Sequence, residues 1–177
     1  ALGKSVPGRT VRLEPGGIIL IEGIHGLNPA VLYQIPVEYT YRVYVSALTQ
    51  LNLDHHNRVA TTDNRLLRRM VRDDASRGIS AEETLRRWPT VRRGEEHNIF
   101  PFQENADVMF NSALAYELAV LKPFAEQLLY RVPSGTPEGV EARRLLDLLH
   151  WVHACQADLV PSNSLLREFV GGSVLQP

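Results

Sequence analysis

IILIEGIHGLNP, residues 18–29, decides how the chain is read. Ile18 to Ile21 form a continuous aliphatic run, mostly β-branched, that stops at Glu22-Gly23. A short run that is apolar on both faces is the pattern of a buried parallel strand. An acid at its carboxyl end stands where open α/β sheets receive their ligands. His25 and Asn28 follow on the same loop, and Asn28-Pro29 predicts a turn or short helix over residues 30–34.

Outward from this strand the pattern alternates. Residues 39–47, rich in Val and Tyr, predict a second strand. Residues 48–57 are expected to be helical. Thr61, Thr62 and Asp63 offer an N-cap for a strong helix that ends at Gly78. Ser80 and Glu83 form a capping box for another helix, which meets Pro89 just past Trp88. Residues 90–105 read as mixed helix and loop, and residues 106–112 as a third strand. A long amphipathic helix follows over residues 113–132, with Pro123 as a kink or break. After a Pro-Ser-Gly linker come another helix and a short capped helix that stops at Gly171-Gly172.

Strands separated by helices indicate an α/β domain. Three strands are too few for a doubly wound sheet, so further strands are expected before residue 1. The open edge of a partial sheet must pair or be covered, which makes a homo-oligomer an expectation.

The 177 residues carry a net charge of −1, and 44% are hydrophobic, enough for a packed core. No apolar run reaches the roughly 20 residues that span a bilayer, so no membrane role and a cytoplasmic location are expected. Cys155 is the lone cysteine; it reads as a buried small hydrophobe in a reducing compartment. Gly3-Lys4-Ser5 matches the end of a phosphate-binding loop, but Pro7-Gly8 breaks the helix such a loop requires, so it reads as a decoy.

Arginine far outnumbers lysine and concentrates between Arg58 and Arg93. Arginine is suited to planar, bidentate contact with phosphate oxygens. A local cluster in a near-neutral chain points to a compact anion rather than RNA, for which a basic domain is expected. Arg65, Arg68, Arg69 and Arg72 share a broad helix face. So many guanidiniums repel one another unless anions lie between them. Asp73 and Asp74 neutralise part of the charge, and a polyphosphate could supply the rest. The plain alternative is a solvated face salt-bridged to Asp73. Residues 91–103 add a polar patch of Arg92, Arg93, Glu95, Glu96 and His97 beside Phe100 and Phe102, either a substrate pocket or a helix end with core aromatics.

These parts together resemble the uridine kinase/phosphoribulokinase family of P-loop kinases. The strand IILIEGI is similar to that family's second acidic strand. RRMVRDDASRG, residues 68–78, resembles the uridine kinase arginine lid. The order of parts agrees as well: acidic strand, β-strand, lid helix, Pro-containing loop, then Ala106-Asp107-Val108 opening the last strand. Stretches such as EGIHGLNP, TTDNRLLRRMVRD and NSLLREFVGGS look closer still to a bacterial nucleoside-kinase-like subgroup.

The resemblance implies a partial P-loop kinase fold over residues 1–130, with a lid near residues 61–93 and a helical appendage over residues 131–177. It implies ATP-dependent phosphorylation of a nucleoside hydroxyl, uridine- or cytidine-like, with Mg²⁺. Glu22 would be the Mg²⁺-associated acid, Arg69 would lie near the transferred phosphoryl group, and Arg72 and Arg77 would close on the ATP phosphates. His25, Asn28, Arg68, Arg93, Glu96 and His97 would serve the substrate. Two features depart from the family: Ser46-Ala47 replaces the usual acid after the second strand, and residues 48–63 are inserted before the lid. The family's phosphate-binding loop would precede everything present. Alternatives are a non-catalytic phosphate- or RNA-binding module and an inactive fragment.

Overall fold

Val43–Ser46 (β1) and Val108–Asn111 (β2) form a two-stranded parallel sheet, with Val43 opposite Val108 and Ser46 opposite Asn111. Side-chain contacts fasten both ends of the pair. The Asp107 carboxylate accepts from the Arg42 N–H at 2.7 Å, and Asn111 bonds both backbone groups of Leu48. A parallel pair needs a crossover, supplied here by α1 (Thr61–Arg77) and α2 (Ala81–Asn98). The chain is therefore α/β. These features come from a computed structural model that describes residues 11–31 and 33–175; Gly3-Lys4-Ser5 lies outside them.

α1 folds as its pattern requires. Leu66, Leu67, Met70 and Val71 recur at helical spacing and are all buried. Gly78 ends the helix at φ +63°, the left-handed position that glycine takes without a Cβ penalty. At the other end Ala60 precedes the first turn, and no side chain caps it. The expected capping box of α2 forms, with Ser80 Oγ accepting from the Glu83 N–H at 3.2 Å.

α2 does not end at Pro89. It continues to Asn98 and passes into a 3-10 turn over Phe100–Asn105. Proline removes one donor from the helix, and the remaining hydrogen bonds span the gap. α3 (Glu117–Leu129) likewise runs through Pro123. α4 (Pro137–His150) is capped by Thr136, which accepts from the Gly139 N–H at 2.9 Å.

One hydrophobic core joins these helices. Leu66 and Met70 of α1, Leu121 of α3 and Leu145 of α4 belong to it, together with Leu166 and Phe169 from the C-terminal segment. Phe169 lies in α5 (Arg167–Val170), which packs on α1 and α3. Residues 131–175 thus share a core with α1–α3.

Three local expectations are corrected. Residues 18–21 take no regular secondary structure and join no strand among the described residues; Ile18 is 92% and Leu20 91% exposed. An apolar run becomes a buried strand only when neighbouring strands and covering helices are present. Residues 48–57 are a loop rather than a helix. There the Asp54 carboxylate accepts from the N–H groups of His56 and Asn57, and the Leu53 N–H donates to Asn57 O, so a tight turn takes the bonds a helix would use. Cys155 is half-buried, not buried. No helix among the described residues is long and apolar enough to cross a membrane.

Candidate functional site

The arginines of α1 separate into a structural set and a surface set. Arg65 donates to buried Glu95 of α2, its Nη1 lying 2.9 Å from Oε2, and Arg92 shares the same carboxylate. Arg68 is buried. Its Nε donates to Glu117 Oε2 at 2.8 Å and its Nη2 to Ser112 O at 2.7 Å. Asn64 donates to the other Glu117 oxygen. Glu117, only 2% exposed, therefore ties α1 to the start of α3. A buried carboxylate needs this kind of pairing to stay charged.

The surface set surrounds Asp73, which is 1% exposed. Arg69 Nε lies 3.2 Å from Oδ2 and Arg77 Nη1 2.8 Å from Oδ1, both at helical i,i+4 spacing. Arg72 Nε is 3.9 Å from Oδ1, too far for a hydrogen bond, and is buried with no partner among the described residues. Arg72 Nη1 instead donates to Glu168 Oε1 at 3.0 Å. Three guanidiniums thus face two carboxylates and leave a surplus positive charge. Asp74 forms no ion pair among the described residues. All three arginine side chains are partly exposed.

The other predicted residues sit elsewhere. Glu22 and His25 are exposed on the loop after the apolar run. No hydrogen bond or ion pair joins Glu22 to an arginine among the described residues. Asn28 organises its own turn, Oδ1 accepting from the Ala30 N–H at 3.0 Å. It borders a hollow of about 160 Å³ with Tyr33, Thr40 and Arg42, small for a ligand pocket. A second hollow of about 380 Å³ lies among Asp54, Arg58, Asp63, Arg144, Asp147 and Trp151. Neither includes Glu22, Arg69, Arg72 or Arg77.

Arg93, Glu96 and His97 lie on the exposed side of α2. Arg93 donates to Thr90 Oγ1 at 3.1 Å, Arg92 pairs with Glu96, and His97 Nδ1 donates to Arg93 O at 2.7 Å. These bonds span three or four residues of one helix. The partner is a carbonyl oxygen, which can only accept, so Nδ1 carries a proton.

Sequence reasoning named Asp73, four residues from both Arg69 and Arg77, as a salt-bridge partner of the arginine face, and that pairing forms. It missed the other acids that organise the arginines. Glu95 and Glu117 become visible only when α2 and α3 pack on α1. Glu168 and Phe169 reach the site across 96 residues or more of chain. The Phe169 ring centre lies 5.2 Å from the Arg68 guanidinium carbon and 6.0 Å from that of Arg72.

No protein-family model matches the chain, and neither a curated protein nor a solved structure matches it.

Proposed function

We propose that this chain is the arginine-bearing part of an ATP-dependent phosphotransferase that phosphorylates a hydroxyl of a nucleoside or a related metabolite. The observation that carries the reading is the cluster of Arg69, Arg72 and Arg77 about a single buried carboxylate, with charge to spare and partly exposed side chains. Such a cluster suits the oxygens of a polyphosphate. In this reading β1 and β2 belong to a P-loop kinase sheet, and residues 61–93 form its lid.

ATP supplies the phosphoryl group. Asp73 orients Arg69 and Arg77. The guanidiniums then offer charge where it develops on the transferred group. The buried pairs Arg68–Glu117 and Arg65–Glu95 are neutral as pairs and hold α1 against α3 and α2. For Mg²⁺ the fit is partial. The ion is usually held by one or two carboxylates together with phosphates and water. Glu22 can be one such donor, but the described residues contain no cluster of three or more metal-ligating side chains.

A second reading, a non-catalytic phosphate-binding module, is favoured by Glu22, which is exposed and forms no ion pair among the described residues. Titrating MgATP, ATP without Mg²⁺, and a single-stranded RNA at two salt concentrations separates the readings. The phosphotransferase reading expects saturable, Mg²⁺-dependent ATP binding. Equal ATP binding with and without Mg²⁺ would favour the module. Tight RNA binding that falls steeply with salt would displace both.

A further inference from the structure

The C-terminal segment ends on the same arginine that the proposed function assigns to phosphate. Glu168 and Phe169 lie on α5, more than 90 residues after Arg72. Their anchoring is uneven. Leu166 and Phe169 are buried in the core. Arg167 binds the segment to itself, donating from Nη1 to Gly171 O at 3.2 Å and also to Val160 O. Glu168, by contrast, has a side chain 57% exposed and, among the described residues, pairs only with Arg72. Gly171 and Gly172, at φ +81° and +74°, turn the chain away immediately afterward.

The consequence falls on Arg72. Its Nη1 is engaged by a carboxylate from α5, its Nε is buried and unpaired among the described residues, and its guanidinium carbon lies 6.0 Å from the Phe169 ring centre. A guanidinium in this state is oriented but already occupied. We propose that Glu168 is a built-in competitor for the phosphate site: its carboxylate holds Arg72 until a polyphosphate displaces it. Phe169 keeps the guanidinium in place throughout. The displacement needs only a side-chain rotation of Glu168, because α5 stays anchored through Leu166 and Phe169. The proposal rests on the reading of Arg69, Arg72 and Arg77 as a polyphosphate site and adds a means of regulating it.

The pair is partly exposed, so its release is worth no more than a surface ion pair. Glu168→Gln keeps the shape and removes the charge. It should tighten binding of inorganic tripolyphosphate and of MgATP about two- to fivefold, the span of one exposed pair. The gain should shrink as salt rises. Glu138→Gln, which removes a carboxylate paired with Arg86 between α4 and α2, should leave both affinities unchanged. Calorimetric titration of the full chain and of both variants gives the answer. Tighter binding by Glu168→Gln alone supports the proposal. If wild type binds tripolyphosphate and Glu168→Gln binds it equally or more weakly, the competitor role is overturned while the phosphate site stands. If neither binds, the phosphate site itself is refuted and the competitor role falls with it. Equal tightening by Glu138→Gln would reduce the effect to net charge and overturn the proposal.

Discussion

Replacing Glu117 by Gln tests whether Arg68 is part of the framework rather than of a ligand site. The carboxylate is almost fully buried and accepts from Arg68 Nε at 2.8 Å, from Arg68 Nη2 and from Asn64 Nδ2. Gln has the same shape but no charge, and its amide nitrogen turns a donor toward donors. The Arg68 guanidinium would then stay in the interior without a counter-charge. Breaking a buried pair from one side costs about 3–5 kcal/mol. For a chain of this length each kcal/mol lowers Tm by about 2–4 °C, so the expected fall is about 6–20 °C. Calorimetry and urea unfolding, with coincident transitions by two probes, would measure it. The double variant Arg68→Met/Glu117→Leu should recover most of the loss, because replacing both charges by apolar groups of similar volume is often neutral. A loss below about 1 kcal/mol for Glu117→Gln would match an exposed pair. That result would refute the structural role and return Arg68 to the ligand-facing set.

Two other perturbations probe local determinants. Gly78→Ala meets no atom within 4 Å, so it tests the left-handed backbone alone; a cost of about 1 kcal/mol in urea unfolding is expected, and no change would mean that the end of α1 carries no conformational demand. Hydrogen bonds from the Asn57 side chain, then from the His56 and Asn57 N–H groups, hold the Asp54 carboxyl below its ordinary value. A depressed carboxyl stabilises the folded turn above the unfolded pKa of about 3.9 and loses that contribution as pH falls through the folded value. An NMR titration should therefore place the Asp54 midpoint below 3.9, with the turn over residues 54–57 loosening in the same range. A midpoint at or above the ordinary value would contradict the turn geometry.

Legibility in the sequence followed how local the determinant was. Gly78, Ser80 with Glu83, and the apolar spacing of α1 act within a few residues, and each is found where the pattern puts it. The parallel pairing of β1 with β2 was implied by two strand-like runs flanking helical ones. Residues 48–57 misled because their composition allows a helix, while Asp54 is placed to close a turn on Asn57. Residues 18–21 carry the pattern of a buried strand, but burial depends on partners that the run itself does not specify. Pro89 read as the end of its helix and Pro123 as a kink or break, yet each helix runs on through its proline. In the candidate site the arginines were visible and their partition was not. Arg68 and Arg69 are adjacent in sequence, yet one meets Glu117 in the interior and the other meets Asp73 near the surface. That distinction is made by the packing of α3, which no spacing rule on α1 encodes.

The central claim is that three guanidiniums on one helix serve one bound polyphosphate. Calorimetric titration of MgATP into wild type and into the Arg69→Ala/Arg72→Ala/Arg77→Ala variant, with circular dichroism confirming that α1 persists, tests it most directly. The account predicts one saturable site in wild type and at least about a tenfold loss of affinity in the variant, since hydrogen bonds to charged groups are each worth about 1.5–3 kcal/mol. Equal affinity in the two folded proteins would contradict it.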